Sequence, residues 1–174
     1  QMIFMLLGGC SLFDSIALSL ATAGTGGFGV LSDSCASYSP YVQWVITAFM
    51  ILFGVNFNLY YLILIGRAKQ IFKNEELWTY IGIVVAAALM IAVNVRDTFA
   101  SFGDAIRAGF FQTVAFITTT GYSTAPFDSW PVFSKTILFT LMFIGGCAGS
   151  TGGGLKVARI LLMFKTAKRD LTKM

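Results

Sequence analysis

Three long stretches without a charged residue constrain this chain more than any other feature. They cover residues 41–65, 77–95 and 136–155. A helix needs about 20 residues to cross ~30 Å of hydrocarbon, so each stretch is long enough to span a membrane. Only 11% of the residues are charged, whereas soluble domains carry about 25%. The sequence therefore predicts an all-α integral membrane protein.

Two shorter apolar stretches, residues 13–23 and 105–118, lie between the predicted spans. A length of about 10–14 residues is typical of a re-entrant segment or a buried core helix. Each stretch has an acidic residue near its start, Asp14 or Asp104, and runs into a glycine turn. Acidic residues favour a helix N-terminus and glycines its end. We expect two half-helices that enter the membrane and return.

The lysines and arginines predict the orientation. Nine of the 12 basic residues follow the ends of two predicted spans on one side, which the positive-inside rule assigns to the cytoplasm. Loop 66–76 and the C-terminal end are then cytoplasmic, and nucleic-acid binding is a weaker interpretation because the basic residues directly follow predicted spans. The nine are Arg67, Lys69, Lys73, Lys156, Arg159, Lys165, Lys168, Arg169 and Lys173.

An internal repeat relates the two half-helices. When GFG at 27–29 is placed over GYS at 121–123, the shift is 94 residues. Repeats of span, half-helix and span are typical of transport proteins. We predict one unit over residues 1–76, with its first helix truncated, and a second over 77–174. Thr25 aligns with Thr119 at the same shift. After a loop that is three residues shorter in the second copy, Pro40 aligns with Pro131 and Gly54 with Gly145 at a shift of 91.

The glycines after the first half-helix match a dinucleotide-binding motif, GTGGFG at 24–29, but not its context. That motif follows a strand, opens a helix and has an acid about 20 residues later; here it follows a helix, and Asp33 is too close. Glycine turns instead let carbonyls face a common axis and replace the water shell of a cation. The candidate filter residues are Thr25, Gly26, Gly27, Phe28, Thr119, Thr120, Gly121 and Tyr122.

A second glycine cluster, GGCAGSTGGG at 145–154, lies inside a predicted span. It lacks the Gly-Lys-Ser/Thr order of a phosphate-binding loop. Each glycine costs a helix about 1 kcal/mol, so we expect the helix to break in mid-membrane as a gate loop, in preference to close small-residue packing. The gate residues are Gly145, Gly146, Gly149, Ser150, Thr151, Gly152, Gly153 and Gly154.

Other side chains lower the expectation of an enzyme. There is no histidine, which removes the commonest general base. Three cysteines, Cys10, Cys35 and Cys147, are interpreted as free thiols, with a Cys10–Cys35 disulfide as the alternative. Asn56 and Asn58 are interpreted as hydrogen-bond partners between helices in preference to ion ligands.

Three motifs resemble the Trk/Ktr/HKT superfamily of potassium-uptake subunits: ATAGTGGFG at 21–29, FITTTGYST at 116–124 and GGCAGSTGGGLKVARILL at 145–162. The resemblance runs through nearly the whole chain. It implies four span–half-helix–span repeats around one K⁺ pore, each with one filter glycine. Gly27 and Gly121 are then two of these glycines, the gate loop lies in the third repeat, and this chain supplies repeats two and three of the four.

The resemblance also implies the partners. These are the first and fourth repeats of the same polypeptide, a second subunit in a homodimer, a cytoplasmic nucleotide-binding ring of the TrkA or KtrA type, and the lipid bilayer of a bacterial inner membrane. In the family a basic residue of the fourth repeat braces the gate loop; neither Lys156 nor Arg159 is assigned that role. K⁺ is expected as the transported ion, and no cofactor is expected in this chain.

Two other function classes remain as alternatives. A cation-coupled secondary transporter would need an ionisable residue at mid-membrane, and the three predicted spans contain none. A non-conducting membrane fragment predicts that substitution of Gly27 or Gly121 has no effect. Selective, gated K⁺ permeation is the leading hypothesis.

Overall fold

The computed structural model of the protein describes residues 1–173, which form eight α-helices joined by turns. This part of the chain contains one isolated β-bridge and no β-strand, so the predicted all-α class is confirmed. The end of the predicted second unit, Met174, lies outside the described residues. The helices are α1 Met2–Leu7, α2 Leu12–Ala23, α3 Pro40–Phe53, α4 Phe57–Leu64, α5 Glu75–Asn94, α6 Phe102–Ile117, α7 Val132–Ile144 and α8 Val157–Lys173. Three 3₁₀ turns join them, Ala68–Lys73, Arg96–Thr98 and Phe127–Ser129.

Helix α5 matches the predicted span 77–95. Among the described helices it alone is long and apolar enough to cross a membrane by itself. Its start is fixed by Asn74, whose side chain accepts a hydrogen bond from the Leu77 amide at 2.9 Å. Glu75 and Glu76 lie in the first turn, where the helix dipole favours negative charge.

The predicted span over residues 41–65 is not one continuous helix. Helices α3 and α4 are bent by 88° at a break of three residues, although together they are long enough for one span. Gly54 ends α3, and Asn56 starts α4 by accepting a hydrogen bond from the Asn58 amide at 2.9 Å. An asparagine that caps a new helix competes with continuation of the old one, so the chain turns here.

The third predicted span, residues 136–155, is interrupted at the glycine cluster. Helix α7 ends at Ile144, because Gly145 adopts a left-handed φ of 74° that a helix cannot continue through. Residues 145–156 form an irregular loop before α8 begins. The expected break within the glycine cluster is therefore present.

Both half-helices are present. Helix α2 begins one residue before the prediction, capped by Ser11, which accepts a hydrogen bond from the Asp14 amide at 3.0 Å. Helix α6 begins three residues earlier than expected. The Ser101 hydroxyl caps it by accepting a hydrogen bond from the Gly103 amide at 3.2 Å. The hydroxyl caps determine these starts, and the acidic residues then fall in the first turns.

Helix α6 occupies the centre of the fold and packs against α3, α5 and α7. Gly109 allows the close approach of α5, since an added Cβ would stand 3.0 Å from the Ala88 carbonyl oxygen. Helices α1, α2 and α3 form a second group beside this one. The end of α6 is thus enclosed, whereas the end of α2 lies at the edge of the structure.

Candidate functional site

The two predicted filter segments have matching backbones. We call residues 25–28 the first glycine turn and residues 119–122 the second glycine turn. Thr25 and Thr119 have left-handed φ values of 49° and 56°, and Gly27 and Gly121 have values of 69° and 83°. Each pair is related by the 94-residue shift. The left-handed geometry explains glycine at 27 and 121, because a Cβ there is strained.

The two glycine turns contact each other directly. A Cβ built on Gly27 would overlap the carbonyl oxygen of Thr120. No larger residue fits at position 27 unless the second turn moves. The backbones of the two turns therefore lie side by side.

The local electrostatics favour a cation at this point. Neither turn contains a charged side chain. The turns follow the C-terminal ends of α2 and α6, where unpaired carbonyls give each helix a partial negative charge. An ion bound here would therefore be held by neutral oxygen atoms and helix dipoles, without a charged side chain.

The aromatic residues of the two turns have different surroundings. Tyr122 is 1% exposed, and its hydroxyl donates to the Leu18 carbonyl of α2 at 3.3 Å. Its counterpart Phe28 is 80% exposed. The second turn is thus anchored on the half-helix of the first unit, and Phe28 has no equivalent neighbour.

The loop between α2 and α3 holds the second glycine turn from the other side. The Cys35 amide donates to the Ser123 carbonyl at 2.9 Å, and the Ser123 amide donates to the Ser34 hydroxyl at 3.1 Å. Gln43 secures this loop by donating to the Cys35 carbonyl at 3.1 Å, and its amide oxygen accepts from Arg107 of α6 at 2.9 Å. Hydrogen bonds from both units therefore fix the position of the turn.

The glycine-rich loop (residues 145–154) lies against both glycine turns. The Thr25 hydroxyl donates to the Thr151 carbonyl at 3.2 Å, and the Gly153 amide donates to the Thr119 hydroxyl at 2.7 Å. A Cβ on Gly152 would stand 2.9 Å from the Thr118 carbonyl oxygen, so the contact leaves no room for a side chain.

The same loop also pairs with the break between α3 and α4. The Phe57 amide donates to the Gly149 carbonyl at 3.1 Å. A Cβ on Gly149 would meet the Asn56 side-chain oxygen at 2.9 Å. Asn56 therefore lies at a contact between segments, and its side-chain hydrogen bond is the local cap of α4 and not the predicted bond between helices.

Two charged residues beside the loop were not predicted as part of the site. The Ala148 amide donates to Glu76 Oε1 at 2.5 Å, and Lys156 Nζ donates to the Gly152 carbonyl. Lys156 also has a left-handed φ of 72°. The only sequence signal for either residue is its position at the end of an apolar stretch, which most often indicates a solvated helix end.

The cysteines in this structure are free thiols, so the Cys10–Cys35 disulfide is absent. Cys35 is fully buried in the connection between α2 and α3, outside the helices. Burial raises the pKa of its thiol to about 12. A thiol that stays protonated at neutral pH is a poor nucleophile and a poor metal ligand.

Comparisons with known proteins agree with the architecture. A family model described as "TrkH: Cation transport protein" matches residues 6–174. The Trk system potassium uptake protein TrkH of Escherichia coli strain K12 is 37% identical over 172 residues, which is 95% of this chain and 35% of that protein. The Trk system potassium uptake protein TrkG of the same strain is 30% identical over 97% of this chain and 35% of its own length.

A solved structure shares the fold. The crystal structure of the potassium transporter TrkH from Vibrio parahaemolyticus aligns with a TM-score of 0.92 at 33% identity, covering 99% of this chain and 38% of that one. The chain thus spans about 35% of the length of the curated relatives. The resemblance to the Trk/Ktr/HKT superfamily is confirmed, and the chain belongs to the TrkH family of cation transport proteins.

Proposed function

We propose that this chain forms part of a K⁺-selective membrane pore in the complete protein. The backbone carbonyls of the two glycine turns dehydrate the ion, and the glycine-rich loop closes the path beside them. The family consists of membrane transport proteins, and two relatives are named potassium uptake proteins. The chain lies in a membrane, and we propose the bacterial inner membrane with loop 66–76 and the end of α8 in the cytoplasm.

The direct contact between the two glycine turns is the observation that carries the proposal. Gly27 approaches the Thr120 carbonyl so closely that a side chain is excluded. Two left-handed glycine turns that meet at the ends of two half-helices supply carbonyl oxygens from two directions, as a cation requires. A nucleotide site would instead need backbone amides at a helix N-terminus.

The position of the glycine-rich loop supports its role as a gate. It is hydrogen-bonded to Thr25 of one turn and Thr119 of the other. Irregular backbone at membrane depth is tolerated where it is buried in protein or lines a watery cavity. A loop seated across two carbonyl-bearing turns blocks an ion path and opens it by moving away.

The two edges of the structure support completion of a ring by two further repeats. At one edge Phe28 is 80% exposed, although its counterpart Tyr122 is buried against α2. At the other edge a Cβ on Gly121 would meet no atom within 4 Å, beside a cavity of about 250 Å³ lined by Phe116, Phe127 and Met142. We propose that the first repeat covers Phe28 and the fourth covers Gly121.

The remaining partners follow from the family. We propose that the complete subunit forms a homodimer and binds a cytoplasmic nucleotide-binding ring of the TrkA or KtrA type. The exposed basic residues of α8, such as Lys168 and Arg169, support a cytoplasmic location for this helix.

The filter assignment is tested by Gly121→Ser in the full-length parent protein, with K⁺ and Na⁺ uptake measured in a K⁺-uptake-deficient cell. We expect the preference for K⁺ over Na⁺ to fall, because Gly121 has a φ of 83° that serine adopts only with strain. Gly82→Ser is the matched control, since position 82 lies in α5 with open space around it. An unchanged K⁺/Na⁺ preference would contradict the filter assignment.

The gate assignment is tested by deletion of residues 152–154. We expect ion flux to rise, because the deletion removes the segment that contacts Thr118 and Thr119 at the second glycine turn and shortens the loop that also reaches Thr25 through Thr151. Unchanged flux in a protein that reaches the membrane would favour the alternative that the glycines serve helix packing only.

A further inference from the structure

Two aligned threonines have an unusual backbone. Thr25 and Thr119 have φ values of 49° and 56°, in the left-handed region that β-branched residues rarely occupy. Such conformations persist only where the surrounding structure holds them. The contacts of these two side chains must therefore hold the strained backbone in place.

Both side chains bond to the same short segment of the glycine-rich loop. Thr25 donates to the carbonyl of Thr151 at 3.2 Å, and Thr119 accepts from the amide of Gly153 at 2.7 Å. The two partners are two residues apart, and the threonines come from different units. One segment of the loop is thus held by equivalent residues of both units.

Neighbouring threonines behave differently. Thr22 and Thr118 bond within their own helices, to the carbonyls of Leu18 at 2.6 Å and Val114 at 2.7 Å. That pattern is the ordinary one for a helical threonine. Thr25 and Thr119 reach a different element, although the Thr119 hydroxyl also donates to the neighbouring Thr118 carbonyl at 2.7 Å.

Further hydrogen bonds from the residues that follow the loop also hold this segment. Lys156, at a left-handed φ of 72°, donates from Nζ to the Gly152 carbonyl, and the Leu155 amide donates to the Phe143 carbonyl at 2.9 Å. Gly152 rests against the Thr118 carbonyl without space for a Cβ. The segment therefore has a defined position, and the hydroxyls of Thr25 and Thr119 make its side-chain hydrogen bonds to the glycine turns.

We propose that Thr25 and Thr119 are positioning residues that latch the glycine-rich loop beneath the two glycine turns. The loop leaves its seat only when both hydroxyl bonds break, so the two units release the gate together. This inference rests on the proposed function, in which the glycine turns form the filter and the loop forms the gate.

The test uses the full-length parent protein in proteoliposomes without a regulatory partner, with K⁺ efflux as the readout. Thr25→Val and Thr119→Val keep the shape of the side chain and remove the hydroxyl. A hydrogen bond between uncharged groups contributes about 1 kcal/mol, so we expect about fivefold higher flux for each variant and roughly 25-fold for the double variant. Thr25→Ser and Thr119→Ser retain the hydroxyl, so their flux should rise much less than that of the matching valine variants.

Thr140→Val is the matched control, because the Thr140 hydroxyl bonds to the Thr136 carbonyl within α7. The latch is contradicted if the double valine variant conducts like the parent, or if the serine variants or Thr140→Val raise flux equally. If the valine variants fail to fold, Thr25→Ala and Thr119→Ala make the same comparison with less backbone strain. A parent protein that carries no K⁺ would instead overturn the proposed function, and the latch with it.

Discussion

The Cys147 amide donates a hydrogen bond to the Gly54 carbonyl at 2.9 Å, so the backbone after the end of α7 is bonded to the backbone at the end of α3. Gly54 ends α3, and Cys147 follows the end of α7 by three residues. Each break leaves backbone groups without helical partners, and in lipid such groups must be satisfied by protein or enclosed water. Together with the bond from Phe57 to Gly149, this pairing supplies those partners.

The first prediction concerns the space at Gly54. A Cβ there would overlap the Tyr80 hydroxyl and stand 2.9 Å from the Thr118 side chain. We expect Gly54→Ala to lower the free energy of unfolding by about 1–3 kcal/mol through overpacking. Tyr80→Phe alone should cost less than about 1 kcal/mol, because its hydroxyl makes only a long bond of 3.4 Å to the Ile51 carbonyl.

The double variant Gly54→Ala/Tyr80→Phe should recover about half of the loss, since the overlapping oxygen is gone. Thermal unfolding of the purified full-length protein in detergent measures all three variants. Strict additivity of the two single effects would show that Tyr80 is not the residue that limits position 54.

The second prediction compares three glycines. Gly27→Ala combines a left-handed φ of 69° with overlap on the Thr120 carbonyl, so we expect a loss of about 2–5 kcal/mol. Gly121→Ala has a similar φ but no atom within 4 Å among the described residues, so backbone strain alone should cost about 1–2 kcal/mol. Gly82→Ala, inside α5, should stabilise the protein by about 0.5–1 kcal/mol.

Thermal unfolding of the purified full-length protein in detergent ranks the stability of these three variants. If Gly27→Ala were as stable as Gly82→Ala, the close contact between the two glycine turns would have to be absent from the protein in solution.

The third prediction concerns pH and the thiol of Cys35. Burial raises its pKa from 9.0 to about 12, so the folded protein holds the proton longer than the unfolded chain. The stability that depends on this proton is complete below pH 9 and decreases as the pH rises toward 12. The slope in this window is up to about 1.4 kcal/mol per pH unit.

Thermal unfolding at pH 8 and pH 10 measures the slope, and Cys35→Ala should reduce it. In single-cysteine variants of the full-length protein, iodoacetamide should modify Cys35 much more slowly than the half-buried Cys10 at pH 8. Fast modification of Cys35 in the folded protein would contradict its burial.

The regular helices could be predicted because their signals are local. Helix α5 is an uncharged run of the right length, and α2 and α6 are short apolar runs with an acidic residue at the start and glycines at the end. The break after Ile144 was predictable because six glycines in ten residues do not sustain a helix.

The bend at Gly54 could not be predicted in the same way. One glycine and one asparagine within an apolar run are compatible with a helix, and the deciding hydrogen bonds come from Cys147 and Gly149. The contacts of the glycine-rich loop could not be predicted either, because Thr25 and Thr151 are 126 residues apart in sequence. Local patterns predicted the glycine turns, but only the packed structure shows which atoms they hold.

The bond between Gly54 and Cys147 also has a consequence for the order of events during synthesis. Cys147 follows Gly54 by 93 residues, so a ribosome adding 5–20 residues per second needs about 5–20 s to produce the partner. Through that interval the Gly54 carbonyl and the Phe57 amide must be held by water or by the insertion machinery. The bend of the first unit is therefore completed by a segment made later, and a nascent chain halted after residue 76 would present two open backbone groups to any chaperone that surveys the membrane.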